Sequence, residues 1–186
     1  MESPIYLVTG GAKSGKSEFA ERLLVKFPGQ LGYIATAQIL DKEMEYRVAK
    51  HRLRRPDCWN EYEVPYDLPA VLPEILAENE AVLLDCLTLY TSNYLFKHES
   101  EGLEELMAGY TEHIESIIKA ALAAQGARLI IVTNELGSGI VPMDPLTRNY
   151  RDMVGKANQM IADAAKEVYL TVSGITIELK KRSCTM

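Results

Sequence analysis

The chain is poor in residues that staple a fold from outside. It has three cysteines, Cys58, Cys86 and Cys184, and no C-x-x-C pair. An odd thiol count without metal-like spacing speaks for free thiols in a reducing cytoplasm rather than a disulfide framework. No apolar run approaches the roughly 20 residues of a membrane span. The opening MESPIYLVTG has neither a basic start nor a long apolar centre, so it reads as the beginning of a buried strand and not as a signal peptide. Positive charge is in deficit: 20 Lys and Arg against 26 Asp and Glu leave a formal net charge of -6. That balance argues against general affinity for nucleic acid. Histidine is scarce, with three in the chain, and there is one tryptophan.

What is present is an ordinary globular composition, 47% hydrophobic and 25% charged over 186 residues. It predicts a single domain, 1–186, with a substantial core. Neither internal repeats nor low-complexity segments interrupt it. Apolar runs predict strands at Ile5–Thr9, Leu31–Thr36, Ala81–Asp85, Arg128–Thr133, Val168–Ser173 and Ile175–Lys180. Amphipathic stretches predict helices from about Gly15 to Lys26, Asp41 to Arg54, Tyr66 to Asn79, Gly102 to Ala124 and Leu146 to Lys166. Continuous apolar strands separated by helices indicate an α/β fold, a mostly parallel sheet flanked by helices. Ligands of such sheets collect at the carboxyl ends of the strands.

The first strand ends in Gly10-Gly11-Ala12-Lys13-Ser14-Gly15-Lys16-Ser17, which matches G-x-x-x-x-G-K-[ST] at every fixed position. Glycines allow close approach of backbone to ligand, and successive N–H groups can then converge on one anion. The helix that follows adds its positive dipole end. In such a loop Lys16 reaches the β- and γ-phosphates and the Ser17 hydroxyl holds Mg2+. An acidic residue on a neighbouring strand commonly completes the magnesium shell. Asp85, at the end of the run VLLD, suits that role, and equally a turn or a helix cap.

A second feature runs against the net charge. AKHRLRRPDCW gathers Lys50, Arg52, Arg54 and Arg55 around His51. On a helix over Asp41–Arg54, Met44, Arg47, Val48, His51 and Arg55 share one face. Packing or plain solvation of that face is one reading. The other is chemical. Neighbouring cations disfavour imidazolium, so His51 tends toward its neutral, nucleophilic form. The same cations attract a polyphosphate and stabilise charge developing at an α-phosphate under attack. A neutral imidazole in an anion-binding cluster suits covalent nucleotidyl transfer.

GGAKSGKS, YIATAQILDKEM, HRLRRP, LLDCLT and VTNELGSGIVP occur in that order. Together they resemble the bifunctional adenosylcobinamide kinase/adenosylcobinamide-phosphate guanylyltransferase family of cobalamin biosynthesis, over Ile5 to about Lys180. The resemblance implies a RecA-like P-loop NTPase fold and two reactions. A nucleoside triphosphate, ATP or GTP, phosphorylates adenosylcobinamide. GTP then guanylylates an enzyme histidine, and GMP passes to adenosylcobinamide phosphate. The family's modified histidine matches His51. Its nucleotide contacts match Gly10 to Ser17, then Arg52, Leu53, Arg54, Arg55, Glu63 and Asp85, and Ala35, Thr36 and Ala37 border the nucleotide. A homotrimer is implied as well. Some relatives carry a second histidine before the modified one; here that position is Lys50, which leaves His51 as sole nucleophile.

Other constellations are weaker. Glu135, after Asn134, can orient magnesium, accept the substrate hydroxyl proton, or cap the Gly137/Gly139 loop. Arg148, Arg151, Asp152, Gly155 and Asn158 line one helix face, as a corrinoid contact, a subunit seam or a solvated surface. Trp59 reads as core packing more readily than as a base platform. His98 and His113 read as surface residues. A P-loop kinase for another small alcohol, or a nucleotide-dependent regulatory module, needs no nucleophile at His51, whereas a nucleotidyltransferase does.

Overall fold

The computed structural model describes residues 3–38, 42, 46, 52, 56, 58–124 and 126–184. Among the described residues the seven strands are β1 (Ile5–Gly10), β2 (Leu31–Ala35), β3 (Asn60–Glu63), β4 (Ala81–Asp85), β5 (Arg128–Val132), β6 (Glu167–Val172) and β7 (Ile175–Glu178). They form one sheet in the order β3-β2-β4-β5-β1-β6-β7. Every pairing is parallel except the β6–β7 hairpin. The helices are α1 (Lys16–Leu24), α2 (Leu68–Glu78), α3 (Leu87–Lys97), α4 (Leu103–Ala123) and α5 (Pro145–Ala164).

The strands are apolar on both sides because both faces are covered. Ile5 and Leu7 of β1, Val82 and Leu84 of β4, and Leu129 and Ile131 of β5 enter one core, with α2, α4 and α5. Tyr6 and Val8, Ala81 and Leu83, and Ile130 and Val132 enter the other, with Ala20, Leu23 and Leu24 of α1. Each fully buried large aliphatic side chain contributes about 1.5–3 kcal/mol. Alternation therefore fixes the register, since a one-residue slip would exchange the two cores.

That register levels the carboxyl ends. Glu63 of β3 pairs with Ala35 of β2, Ala35 with Asp85 of β4, Asp85 with Val132 of β5, and Val132 with Val8 of β1. Three predicted site residues thus share one row.

Two elements escape the sequence prediction. β3 reads NEYE, a polar edge strand without an apolar run. α3 reads LTLYTSNYLFK, rich in hydroxyl and aromatic residues of modest helix propensity. A tertiary contact stabilises it: Thr91 Oγ1, which also donates to Leu87 O one turn back in the helix, lies 2.6 Å from Tyr110 Oη on α4. On the predicted Asp41–Arg54 helix, Lys42, Tyr46 and Arg52 are helical. The remainder of that stretch lies outside the described residues.

Candidate functional site

The loop between β1 and α1 is shaped by two glycines. A Cβ at Gly10 would stand 2.3 Å from the Thr171 carbonyl oxygen, so only glycine lets β1 meet β6 here. Gly15 sits at φ 95 in the left-handed region and caps α1. The loop is closed by Ser14 N donating to Gly11 O at 3.3 Å and braced from the β6–β7 turn by Gly174 N donating to Ser14 O at 2.8 Å. Gly11, Ala12 and Lys13 are exposed at its rim. The Ser14 Oγ and the Thr9 Oγ1 are buried without a hydrogen-bond partner among the described residues.

Lys16 is 9% exposed. Its Nζ donates to Gly11 O at 3.1 Å, across the mouth of the loop. Burial pulls the Lys16 ammonium below its usual pKa, against the opposing influence of Cys86 and Asp85. Asp85 accepts a hydrogen bond from Tyr33 Oη on its Oδ2 at 2.9 Å. The next peptide is clamped by buried Thr36, whose Oγ1 donates to Cys86 O at 2.8 Å and accepts from Cys86 N at 3.0 Å. Asn93 of α3 holds the Thr36 carbonyl at 2.8 Å and that of Pro65 at 3.0 Å. Burial, then the Asp85 carboxylate, push the Cys86 pKa up, so it is a thiol at neutral pH, 3.1 Å from Thr88 Oγ1. Sequence reasoning missed Tyr33, Thr88 and Asn93. Each has a partner distant in the chain, for Thr88 the Asn134 Nδ2 that donates to its Oγ1 at 3.0 Å, and no local pattern marks it.

At the β3 end, Arg52 pairs with Glu63 through Nη2 and with Glu61 through Nε at 3.4 Å. Two predicted nucleotide contacts, Arg52 and Glu63, therefore meet. His51, Leu53, Arg54 and Arg55 lie outside the described residues.

Beyond β5, Glu135 caps its own loop. Its Oε1 accepts from Gly137 N at 2.7 Å and its Oε2 from Ser138 N at 3.1 Å. Burial pushes the Glu135 carboxyl up, but these bonds and the nearby Arg151 outweigh it and the net shift is downward. That favours the cap among its three readings, since a firmly ionised, doubly bonded carboxylate is a poor proton acceptor. Arg148 is consumed by the carbonyls of Pro142 and Met143 at 3.1 and 2.6 Å. Asn158 bridges Thr133 Oγ1 at 2.7 Å and Asn134 O at 3.0 Å. Trp59 is buried in the α1-side core, as packing requires.

His98 and His113 are half-buried rather than on the surface. His113 Nε2 lies 2.6 Å from Tyr90 Oη. His98 stacks on Tyr94 at 4.3 Å between ring centroids. Both line a cavity of about 220 Å³ with Tyr66, Asp67 and Lys97. Helical spacing alone does not reveal that α3 and α4 bring these rings together.

A hydroxyl at Ser17 and a carboxylate at Asp85 are hard oxygen donors, the set that Mg2+ prefers. Among the described residues no group of three or more His, Cys, Asp or Glu forms a metal cage. A cation here would complete its shell from phosphate and water, as Mg2+ does at nucleotide sites. Also among the described residues, no helix is long and apolar enough to cross a membrane.

Comparison with known proteins identifies the family of this chain. The family model CobU, cobinamide kinase / cobinamide phosphate guanyltransferase, matches residues 6–179. The chain is 42% identical to the bifunctional adenosylcobalamin biosynthesis protein CobU of Escherichia coli (strain K12), over 94% of this chain and 98% of that one. It is 39% identical to the bifunctional adenosylcobalamin biosynthesis protein CobP of Pseudomonas aeruginosa, over 94% of this chain and 96% of the other. In fold it is similar to an ATPase of the type III secretion system of pathogenic bacteria, with a TM-score of 0.53 and 9% identity, covering 97% of this chain and 58% of that one. The sheet thus shares its fold with that ATPase, and the chain belongs to the cobinamide kinase / cobinamide phosphate guanyltransferase family, bifunctional enzymes of cobalamin biosynthesis that use nucleotide substrates.

Proposed function

We propose that both reactions run on one domain, residues 1–186, with the triphosphate of ATP or GTP seated on Gly10–Ser17. The observation that carries this reading is Lys16: a buried ammonium held across the loop mouth by Gly11 O, in the field of Asp85. The unpartnered hydroxyl of Ser14 in the same loop supports it, since phosphate oxygens satisfy such a donor. Ser17 and Asp85 are the residues that would hold Mg2+, which when bound neutralises charge on the phosphates.

In the first reaction the hydroxyl of adenosylcobinamide attacks the γ-phosphorus, the bond to the β–γ bridging oxygen breaks, and the nucleoside diphosphate leaves. In the second, a ring nitrogen of neutral His51 attacks the α-phosphorus of GTP and pyrophosphate leaves. A phosphate oxygen of adenosylcobinamide phosphate then attacks the phosphoramidate, the P–N bond breaks, and His51 is regenerated. Arg52, Leu53, Arg54 and Arg55, with Glu63, Ala35, Thr36 and Ala37, flank this nucleotide. The pairing of Arg52 with Glu63 supports the grouping, because it ties the residue next to His51 to the row that holds Ala35 and Asp85. The enzyme acts as a cytoplasmic homotrimer. The loop carrying Ile140 and Met143, each 96% exposed, offers apolar surface to another copy.

Labelling with GTP radioactive at the α-phosphate tests the second reaction. An acid-labile, alkali-stable adduct is expected on His51, and His51→Asn is expected to abolish it while sparing phosphorylation. Turnover without any adduct refutes the covalent route.

A further inference from the structure

Among the described residues of the site, Arg151 is the cation with a buried, unpaired N–H. Arg151 lies in the second turn of α5, on the face shared with Val154 and Asn158. Asn158 is bonded to Thr133 and Asn134 at the carboxyl end of β5. Arg151 is seven residues nearer the start of the same helix, roughly 10 Å along its axis. It therefore stands beyond the strand end, over the loop that follows. Its charge is felt by Glu135 there, and Glu135 N donates to Gly10 O at 3.2 Å, at the entrance of the phosphate loop.

Yet the Arg151 Nη1 is buried and has no hydrogen-bond partner among the described residues. Both oxygens of Glu135 already accept from Gly137 and Ser138. Neighbouring Arg148 shows the alternative, with its Nη1 spent on two loop carbonyls. A buried guanidinium N–H left unpaired destabilises the free protein, and an anion brought to it removes that penalty.

We propose that Arg151 places its guanidinium against the γ-phosphoryl group transferred in the kinase reaction. This rests on the reading of Gly10–Ser17 as the phosphate seat. The position on the sheet decides between the two reactions. Arg52, next to His51, is tied to β3, three strand spacings or roughly 14 Å from β5 along the sheet edge. Arg151 serves the β5–β1 side, where Lys16 sits. As the hydroxyl oxygen bonds to the γ-phosphorus and the bond to the β–γ bridging oxygen breaks, charge spreads over the equatorial oxygens. Arg151 donates hydrogen bonds to those oxygens, keeps its own protons, and the hydroxyl proton passes to solvent.

The test uses the full chain with Mg2+, ATP or GTP, and cobinamide. Arg151→Met is expected to lower kcat for phosphorylation by about 10³-fold or more, with triphosphate KM changed less than about tenfold. Guanylylation of His51 is expected to fall far less than phosphorylation in this variant, because no bond to the γ-phosphorus changes in that step. In Arg151→Ala, millimolar guanidinium is expected to restore part of the lost phosphorylation, which a merely structural arginine would not allow. A kcat within about threefold of wild type, or a loss that guanidinium does not relieve, overturns the proposal. In the wild-type chain, where no variant must fold, the 15N guanidinium resonance of Arg151 is expected to move with ADP, aluminium fluoride and Mg2+, and to stay with ADP and Mg2+ alone. Any other pattern overturns it. Lys16→Ala separates the two levels: if it retains wild-type triphosphate affinity the seat itself is wrong, whereas if it loses affinity and Arg151→Met is silent, the role of Arg151 alone fails.

Discussion

A single methyl group at Gly10 tests whether the loop is positioned by its neighbours or by its own sequence. The residue sits at φ +155, and an added Cβ would lie 2.3 Å from Thr171 O and 2.8 Å from Ser14 Oγ. Ordinary contact begins at 3.4 Å, so the closer pair is about 1 Å too near. Thr171 cannot yield cheaply, because Gly10 and Thr171 are register partners in the β1–β6 ladder. Overpacking of this kind costs about 1–3 kcal/mol, and an unfavourable φ another 1–3 kcal/mol or so. Taking about 4 kcal/mol together, and about 2–4 °C per kcal/mol for a chain of this size, Gly10→Ala is expected to melt roughly 8–16 °C below wild type. Gly11→Ala supplies the control, since a Cβ there meets nothing within 4 Å; it is expected to melt within about 2 °C of wild type.

Thermal unfolding with and without Mg-triphosphate reads both consequences. At a hundredfold excess over Kd, a ligand stabilises by about 2.7 kcal/mol, or roughly 5–11 °C here. Wild type is expected to show that rise, and Gly10→Ala to lose it, because a displacement of about 1 Å costs on the order of 100-fold in a positioned site. A Gly10→Ala chain that melts with wild type and keeps the full ligand response would refute the reasoning.

Two further outcomes follow from burial of charge. Lys16 has its pKa lowered from 10.5, chiefly by burial, so the unfolded chain holds that proton more tightly and stability rises as pH climbs toward 10.5. Lys16→Met is therefore expected to raise the unliganded melting temperature at neutral pH while abolishing the triphosphate response; a lower unliganded value contradicts it. His113 has its pKa lowered from 6.5, first by burial, with His98 and Lys97 adding and Asp67 opposing. Below 6.5 the unfolded chain takes up more protons, so stability falls with pH until the folded pKa is passed. His113→Gln, which retains a partner for Tyr90, is expected to flatten that slope in urea titrations between pH 7 and 5.

What the sequence disclosed was whatever is written contiguously. The proposed phosphate loop is eight adjacent residues whose chemistry would need that spacing, and Asp85 is an acid at the end of an apolar run. The strands showed because burial on both faces makes them uniformly apolar. β3 stayed hidden because its alternating polar residues suit an edge, and α3 because its stability resides in Thr91, Tyr90 and Asn93 bonding outside the helix, to Tyr110, Leu68 and Pro65. His113 read as a surface residue because its partner, Tyr90, belongs to a helix that had not been recognised. The clamp of Thr36 on Cys86 spans fifty positions and leaves no local mark.

The same distinction bears on what the motif would need to work as the proposed seat. Eight residues of suitable spacing allow a loop, but they do not fix its floor. Here the floor is supplied by the β6–β7 hairpin: Thr171 O fills the space beside Gly10, Gly174 N holds Ser14 O at 2.8 Å, and the Gly174 Cα lies 3.4 Å from where a Cβ on Gly15 would stand. β7 runs antiparallel and adds no strand to the parallel set that carries Glu63, Ala35 and Asp85. Its structural consequence is the turn at Gly174, which brings backbone under the loop from a part of the chain far removed in sequence. A helix dipole and a row of N–H groups attract any anion, whereas a loop braced on two sides holds them at fixed positions while charge moves between phosphates, and electrostatic stabilisation of a transition state depends on that preorganisation.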